Sequence, residues 1–367
     1  MTKAKFGIVI AVAVVCSLAF AAPALAWTHG NFSATTDACA GCHVAHAAQA
    51  PKLLKTGPTQ TQFCFMCHGD GSVSAPYDVK DGFTSINRGT DKVASTAGGF
   101  VRQWVSGAVY NDVTSRHNVW GLVGETGYTI NEATKQLAIP GGVNAFTGDG
   151  FVCGSCHDPH DGGTTPTSGY ITGSATSPNP RLLRRAITVQ DGTYNDLYVS
   201  FKFSSVGTFT YGDPPVDSEV YKVDEYVSGS TRWCGSCHNK FMAPTNSGHQ
   251  KYYDMYRHAF GVQLDPSYGY VRSGTYRLPA DTTFAGTPLE LGADKTEGTA
   301  DDVLACLTCH RAHSTTAQAA GWASNWPRSE GGTSSTSALL RMDNRGVCFN
   351  CHVVTENGTV QYNLPTP

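Results

Sequence analysis

Apolar positions in this chain seldom recur at the 3.6-residue interval of a helix or the two-residue interval of a strand. The clearest alternation, Leu197, Val199, Phe201 and Phe203, predicts a short strand. Ser204-Ser205-Val206-Gly207 then reads as a turn, with Thr208 to Tyr211 as the partner strand. Stretches such as Gly162-Gly163-Thr164-Thr165-Pro166-Thr167-Ser168-Gly169 read as loops. The one long apolar run opens the chain. Lys3 and Lys5 precede the uncharged segment Phe6 to Phe20, and Ala24-Leu25-Ala26 offers small residues at a cleavage position. Residues 1–26 are therefore expected to be a signal peptide, with no membrane span in the mature chain. The expected fold is mostly irregular coil with short helices and a few short strands. A chain this poor in periodic segments needs something besides side chains around which to build a core.

Composition narrows the class. The 367 residues are 40% hydrophobic and 15% charged with a formal net charge of −3, which excludes a disordered polyanion and a basic nucleic-acid binder. Forty glycines and eighteen prolines argue against a bundle of long helices, and thirteen cysteines are too many for an ordinary cytosolic enzyme.

The cysteines supply the missing core. Cys16 falls in the expected leader, and the other twelve all lie in the pattern C-x-x-C-H. The motifs are Cys39-Ala-Gly-Cys42-His43, Cys64-Phe-Met-Cys67-His68, Cys153-Gly-Ser-Cys156-His157, Cys234-Gly-Ser-Cys237-His238, Cys306-Leu-Thr-Cys309-His310 and Cys348-Phe-Asn-Cys351-His352. This is the attachment signature of c-type haem: two thiols two residues apart reach the vinyl groups of one porphyrin, and the histidine becomes an axial ligand of its iron. Zinc sites also use cysteine pairs but do not require a histidine after every second cysteine. With thirteen histidines in the chain, six such coincidences have odds of roughly two in a billion. The expectation is six haem c groups in a row, enclosed by a single elongated domain over residues 27–367.

The function then depends on the opposite face of each iron. His29, His46, His117, His160, His249, His258 and His313 remain as candidate distal ligands, seven for six irons. Bis-histidine ligation throughout would leave no open coordination position, which favours electron transfer over catalysis. Three motifs carry a further histidine three residues on, giving the pairs His43 and His46, His157 and His160, and His310 and His313. Should the chain turn helically there, both rings of each pair share a face, one holding its own haem and the next reaching another. His29, His117, His249 and His258 are equally plausible on composition. Met66, Met242, Met255 and Met342 are read as packing around porphyrin faces rather than as ligands. The acidic run from Asp294 to Asp302 departs from the EF-hand spacing and is read as a solvated turn rather than a calcium site.

The order and flavour of the motifs, C-A-G-C-H-V-A-H, F-C-F-M-C-H, C-G-S-C-H-D-P-H, W-C-G-S-C-H, C-L-T-C-H-R-A-H and C-F-N-C-H, resemble the filament-forming outer-surface hexahaem c-type cytochromes of metal-reducing bacteria. The resemblance extends over the mature chain in motif order, including the R-H-N segment at His117 and the R-H-A-F-G segment at His258. It implies identical subunits joined head to tail, with His46 donated to the fifth haem, held by His310, of the adjacent subunit. It also implies His29, His117, His160, His258 and His313 as the internal distal ligands, with His249 spare. It further implies an extracellular or outer-surface location and electron acceptors such as minerals, electrodes or other cells. The segment Asn239-Lys240-Phe241, which lacks an early histidine, departs from the family pattern and weakens the choice of His258 over His249. A monomeric periplasmic or surface electron carrier would use the same motifs. A multihaem reductase needs an iron with an open site, and no C-x-x-C-K motif is present to provide one.

Overall fold

The computed structural model describes His29 and residues 37–49, 51–57, 59–69, 75, 77–85, 92–122, 137–138, 145–146, 150–161, 169–171, 174, 179, 181–189, 192–210, 217–239, 249–252, 255–258, 262–263, 289–293, 301–317, 339–342, 347, 353–356 and 359–362. The expected leader, the sixth motif at residues 348–352 and most of the acidic run at 294–302 lie outside the described residues.

Regular structure is short and scattered. Helix α1 spans Asp37–Ala40, α2 Gln60–His68, α3 Cys153–Cys156, α4 Ser230–Gly235 and α5 Cys306–Cys309. Each of α2 to α5 carries or leads into a C-x-x-C-H motif, and α1 runs into the first. The remaining described chain forms two- and three-stranded antiparallel sheets of mostly two to five residues per strand. None of the described helices is long and apolar enough to cross a membrane. Mostly irregular chain with short helices and small sheets is the expected fold class.

The strand prediction near residue 200 needs correction. Ser200–Thr210 is one continuous strand, and its partners are Asp217–Ser228 and Gly169–Ile171. The segment read as a turn, Ser204 to Gly207, lies inside that strand, where the pairing register slips between Ser205 and Thr208. A glycine within a strand marks a bulge as readily as a turn, because it tolerates the extra residue. The alternation itself is sound: Leu197, Val199 and Phe201 are 3%, 7% and 1% exposed.

Apolar side chains gather in small clusters beside the motifs. Phe100, Val119, Leu122 and Phe151 form one, with Phe65 and Cys156 packed on it. Ile187, Val189 and Leu197 form another, with Trp233 and Cys237 against it. Each cluster therefore ends on a motif cysteine.

Long-range pairing brings distant segments to the same place. Ser115–Arg116 pairs with Ser314–Thr315, and the His117 N–H donates to the His313 carbonyl at 2.9 Å. His313 N–H in turn donates to Ala97 O at 2.8 Å. Gly98, at φ 85°, allows this approach, since a Cβ there would collide with the Ser314 carbonyl. Two candidate distal histidines from remote parts of the sequence thus sit on neighbouring backbone.

Candidate haem-binding sites

Each described motif folds the same way locally. The histidine N–H closes a helical turn on the carbonyl of the first cysteine, at 2.8 Å for His43 to Cys39, 2.9 Å for His157 to Cys153, and 3.0 Å for both His238 to Cys234 and His310 to Cys306. This closure puts both thiols and the imidazole on one side of the turn, as attachment to a single macrocycle requires. In α3 and α5 the residue before the second cysteine, Ser155 or Thr308, accepts from the backbone N–H that precedes the helix.

After the motif the odd and even sites diverge. At the first, third and fifth motifs the chain becomes extended immediately, with His157 at φ −113° and ψ 141° and His310 at φ −112° and ψ 154°. The helical continuation expected for H-x-x-H is therefore absent. The histidine is instead paired in an antiparallel bridge, His43 with Leu54, His157 with Leu183 and His310 with Leu340. The extended exit carries the second histidine away from its own motif.

That exit decides the pairing of rings. His160 lies against His43, with ring centroids 6.1 Å apart and planes at 16°. His313 lies against His157 at 6.2 Å and 68°. His117 faces His238 at 6.0 Å and 48°, and His29 faces His68 at 5.6 Å and 19°. Two imidazoles on opposite faces of one iron have centroids roughly 6.4 Å apart, taking about 2.0 Å per metal–nitrogen bond and about 1.2 Å from nitrogen to ring centre. Three of the four pairs fall within a few tenths of that span. The His29 and His68 Nε2 atoms, 3.3 Å apart, must open slightly to reach the roughly 4 Å that two such bonds need.

The tautomers agree with that role. Nδ1 of His43, His68, His117, His157 and His313 lies 3.0, 3.1, 2.6, 2.7 and 3.3 Å from the carbonyls of Lys52, Tyr77, Ala312, Arg181 and Gly98. A ring that donates its Nδ1–H to a carbonyl carries its lone pair on Nε2, which is the usual second sphere of a metal-bound histidine. Four of these rings, His68, His117, His157 and His313, are also held neutral. Burial and the neighbouring His238 lower His117 to about 4, and burial with His157 lowers His313 to about 3. Burial likewise lowers His68 and His157. The residues present fit bis-histidine haem c.

Neighbouring motifs dock in pairs. Gly154 N–H donates to Gln60 Oε1 at 2.8 Å, joining α2 to α3, and Cys306 N–H donates to Thr231 Oγ1 at 3.3 Å, joining α4 to α5. Cys64 lies beside Cys153, and Cys234 beside Cys306, so the cysteine edges of these motifs adjoin. Glu290, 5% exposed, caps the start of α4 by accepting from Ser230 N–H at 2.7 Å. Gln60, Thr231 and Glu290 escape a reading of the sequence alone. Their signal, a polar residue three or four positions before an even motif, emerges only when two motifs are compared, and Glu290 is remote in sequence.

Cys39, Cys42, Cys64, Cys67, Cys153, Cys156, Cys234, Cys237, Cys306 and Cys309 are described and carry no disulfide. Cys348, Cys351 and His352 lie outside the described residues. His46 is exposed and has no partner among the described residues. His249 and His258 stand directly opposite one another in the hairpin formed by His249–Tyr252 and Met255–His258.

Sequence comparison with known proteins agrees with this chemistry. Residues 29–73 match a family model described as a doubled CXXCH motif. The chain is 26% identical over 338 residues to the C-type cytochrome OmcS of Geobacter sulfurreducens, covering 75% of this chain and 76% of that protein. Among solved structures, it is similar to the OmcS nanowires of Geobacter sulfurreducens at 18% identity and a TM-score of 0.38, covering 86% of this chain and 97% of the other. It is likewise similar to the outer membrane cytochrome S filament of Geobacter sulfurreducens, at 18% identity and a TM-score of 0.36 over the same shares.

Proposed function

We propose that this OmcS-like multihaem c-type cytochrome, a distant homologue of OmcS, is an exported electron-transfer protein whose identical subunits join head to tail into a conducting filament. Residues 1–26 act as the leader and residues 27–367 form one elongated domain holding six haems. Haem c supplies a one-electron iron couple, and two imidazoles on each iron leave no position for a substrate, so the chain is a carrier and not an enzyme.

The residues divide the work. Cys39 and Cys42, Cys64 and Cys67, Cys153 and Cys156, Cys234 and Cys237, Cys306 and Cys309, and Cys348 and Cys351 form the thioethers. His43, His68, His157, His238, His310 and His352 are the proximal ligands. The ring separations support His160 opposite His43, His29 opposite His68, His313 opposite His157 and His117 opposite His238.

One observation carries the filament. The second histidine of the third motif reaches the proximal ring of the first, and that of the fifth reaches the proximal ring of the third. The same translation applied once more would carry His46 of the first motif beyond its own chain, toward the fifth motif of a second copy. His46 is exposed and without a partner among the described residues. A second copy would give His46 a site to serve, and a contact of this kind does not close on itself, so it propagates. In the even series His29 and His117 each lie upstream of the odd motif that precedes the even site they face, which supports His258, upstream of the fifth motif, opposite His352.

The test is the His46→Ala protein, secreted from the native host and viewed by electron microscopy. Subunits that no longer polymerise while retaining their haem support the reading. Filaments of normal length would show that His46 does not join them, and a wild-type protein isolated only as monomers would make this a surface or periplasmic carrier.

A further inference from the structure

All three odd motifs are closed by a tripeptide of two leucines and a basic residue, Leu53-Leu54-Lys55, Leu182-Leu183-Arg184 and Leu339-Leu340-Arg341. The first leucine of each lies in the left-handed region, at φ 59°, 53° and 62°. Single leucines adopt that conformation rarely, because Cβ crowds the following carbonyl. Its recurrence at one position in three separate segments is not an accident of one loop. Nor does side-chain burial enforce it, since Leu53 is 53% exposed.

What the conformation achieves is visible around the proximal histidine. The leucine carbonyl accepts from the residue after the histidine: Val44 N–H to Leu53 O at 2.9 Å, Asp158 N–H to Leu182 O at 2.6 Å and Arg311 N–H to Leu339 O at 2.8 Å. The third residue donates back to the second cysteine: Lys55 to Cys42 O, Arg184 to Cys156 O and Arg341 to Cys309 O, each at 2.9 Å. Between these anchors, the carbonyl just before the left-handed leucine meets the imidazole, Lys52 O with His43 Nδ1 and Arg181 O with His157 Nδ1. The Nε–H groups of Arg184 and Arg341 donate to the carbonyls of Gly154 and Leu307, the residue following the first cysteine in each motif. Those carbonyls lie in a four-residue helix too short to satisfy them internally.

We infer that Leu53, Leu182 and Leu339 are positioning residues for the proximal ligands His43, His157 and His310. The left-handed leucine aims the preceding backbone carbonyl at Nδ1, which fixes the plane of the imidazole, keeps its lone pair on Nε2 and makes it a stronger donor to the iron. This rests on the reading that these histidines ligate haem. A stronger donor favours the ferric state, so releasing the carbonyl raises the midpoint potential of that site alone.

Leu53 is the place to test it, because its exposed side chain can be changed without opening the core. Leu53→Ile puts a β-branched residue where φ is positive, and Leu53→Gly removes the side chain while permitting the same backbone. Both proteins are examined by electron paramagnetic resonance and by spectroscopic redox titration, with haem on the Cys39–His43 peptide confirmed by mass. The expected result is an upward shift and altered g-values for one haem in Leu53→Ile, or loss of that haem, with wild-type values in Leu53→Gly. Identical behaviour of the two variants, whether both shift or neither does, overturns the inference. A wild-type Cys39–His43 peptide without haem defeats the ligation reading itself, and the inference with it.

Discussion

The odd and even motifs share a five-residue signature and differ in the chain that leaves it. At an odd motif the chain exits extended and bridges a leucine, and the third and fifth motifs send a second histidine to the preceding odd site. At the described even motifs there is no such second histidine; the ring facing His68 or His238 comes from upstream, from His29 or His117. Each even link starts upstream of an odd motif and ends on the even motif that follows it, so the first and second motifs make one ligation unit and the third and fourth the next. The two described odd links cross from one unit to the unit before, and His46 of the first unit has no earlier unit in its own chain. A haem signature alone says nothing about assembly, whereas the direction in which the spare imidazole leaves it does.

The largest effect that separates the two series is on polymerisation. His46→Ala should abolish filaments, whereas His160→Ala, chemically the same truncation at another odd motif, should leave them, because its link lies within the chain. His29→Ala, an even-series ligand, should also leave filaments while converting one haem from low spin to high spin. Negative-stain microscopy with absorption spectra of the oxidised proteins checks all three. Loss of filaments in His160→Ala as well would erase the distinction between inner and outer odd links.

A second, spectroscopic effect sharpens the even series. His258 and His249 are cross-strand partners and so share a face of their hairpin, with positions about 5 Å apart. The unit pattern requires one ligand from this linker. His258→Ala should produce one high-spin haem and His249→Ala none, as read by electron paramagnetic resonance. The reverse result would give His249 the ligand role, and a high-spin signal from neither alone but from the double variant would mean the two exchange.

How much of this is legible in the sequence depends on how far apart the residues of each feature lie. The cysteines and histidine of each C-x-x-C-H motif are contiguous, so spacing alone exposes them. Apolar alternation near residue 200 is equally plain, but Gly207 reads the same whether it turns a chain or bulges a strand, and only the partner at Asp217–Ser228 decides. The pairing of rings is hidden because three of the four pairs join residues more than a hundred apart, as in His43 with His160. The direction of the second histidine is misleading in the sequence, because H-x-x-H suggests a helical exit where a bridge to Leu54, Leu183 or Leu340 forces an extended one. The Leu-Leu-basic tripeptides are in plain view, yet they come after their motifs at unequal distances, so a search for a fixed period passes over them.

A smaller effect distinguishes the two docked motif pairs. Thr231 Oγ1 accepts from Cys306 N–H across α4 and α5, and Gln60 Oε1 accepts from Gly154 N–H across α2 and α3. Thr231→Val keeps the shape and removes the acceptor, which should cost about 1 kcal/mol, the net worth of one such hydrogen bond. Denaturant unfolding of the holoprotein should show the loss. No change would mean that the covalent haems alone hold α4 to α5.

The smallest effect lies in pH, at the Glu290 cap that only the second pair has among the described residues. Burial raises this carboxyl above its ordinary value even though the N–H groups of Ser230, Thr231 and Gly229 oppose the shift. The native state therefore keeps a proton that the unfolded chain has already released. Stability from this group is fully present below about pH 4.5 and is lost as pH rises through the raised native value. Glu290→Gln cannot titrate but can still accept from Ser230 N–H through its amide oxygen. Upward from about pH 4.5 the wild-type protein should lose stability relative to this variant, followed as melting temperature against pH. Parallel profiles would mean that the three backbone donors have already compensated the burial of the charge, leaving α4 capped by an ordinary carboxylate.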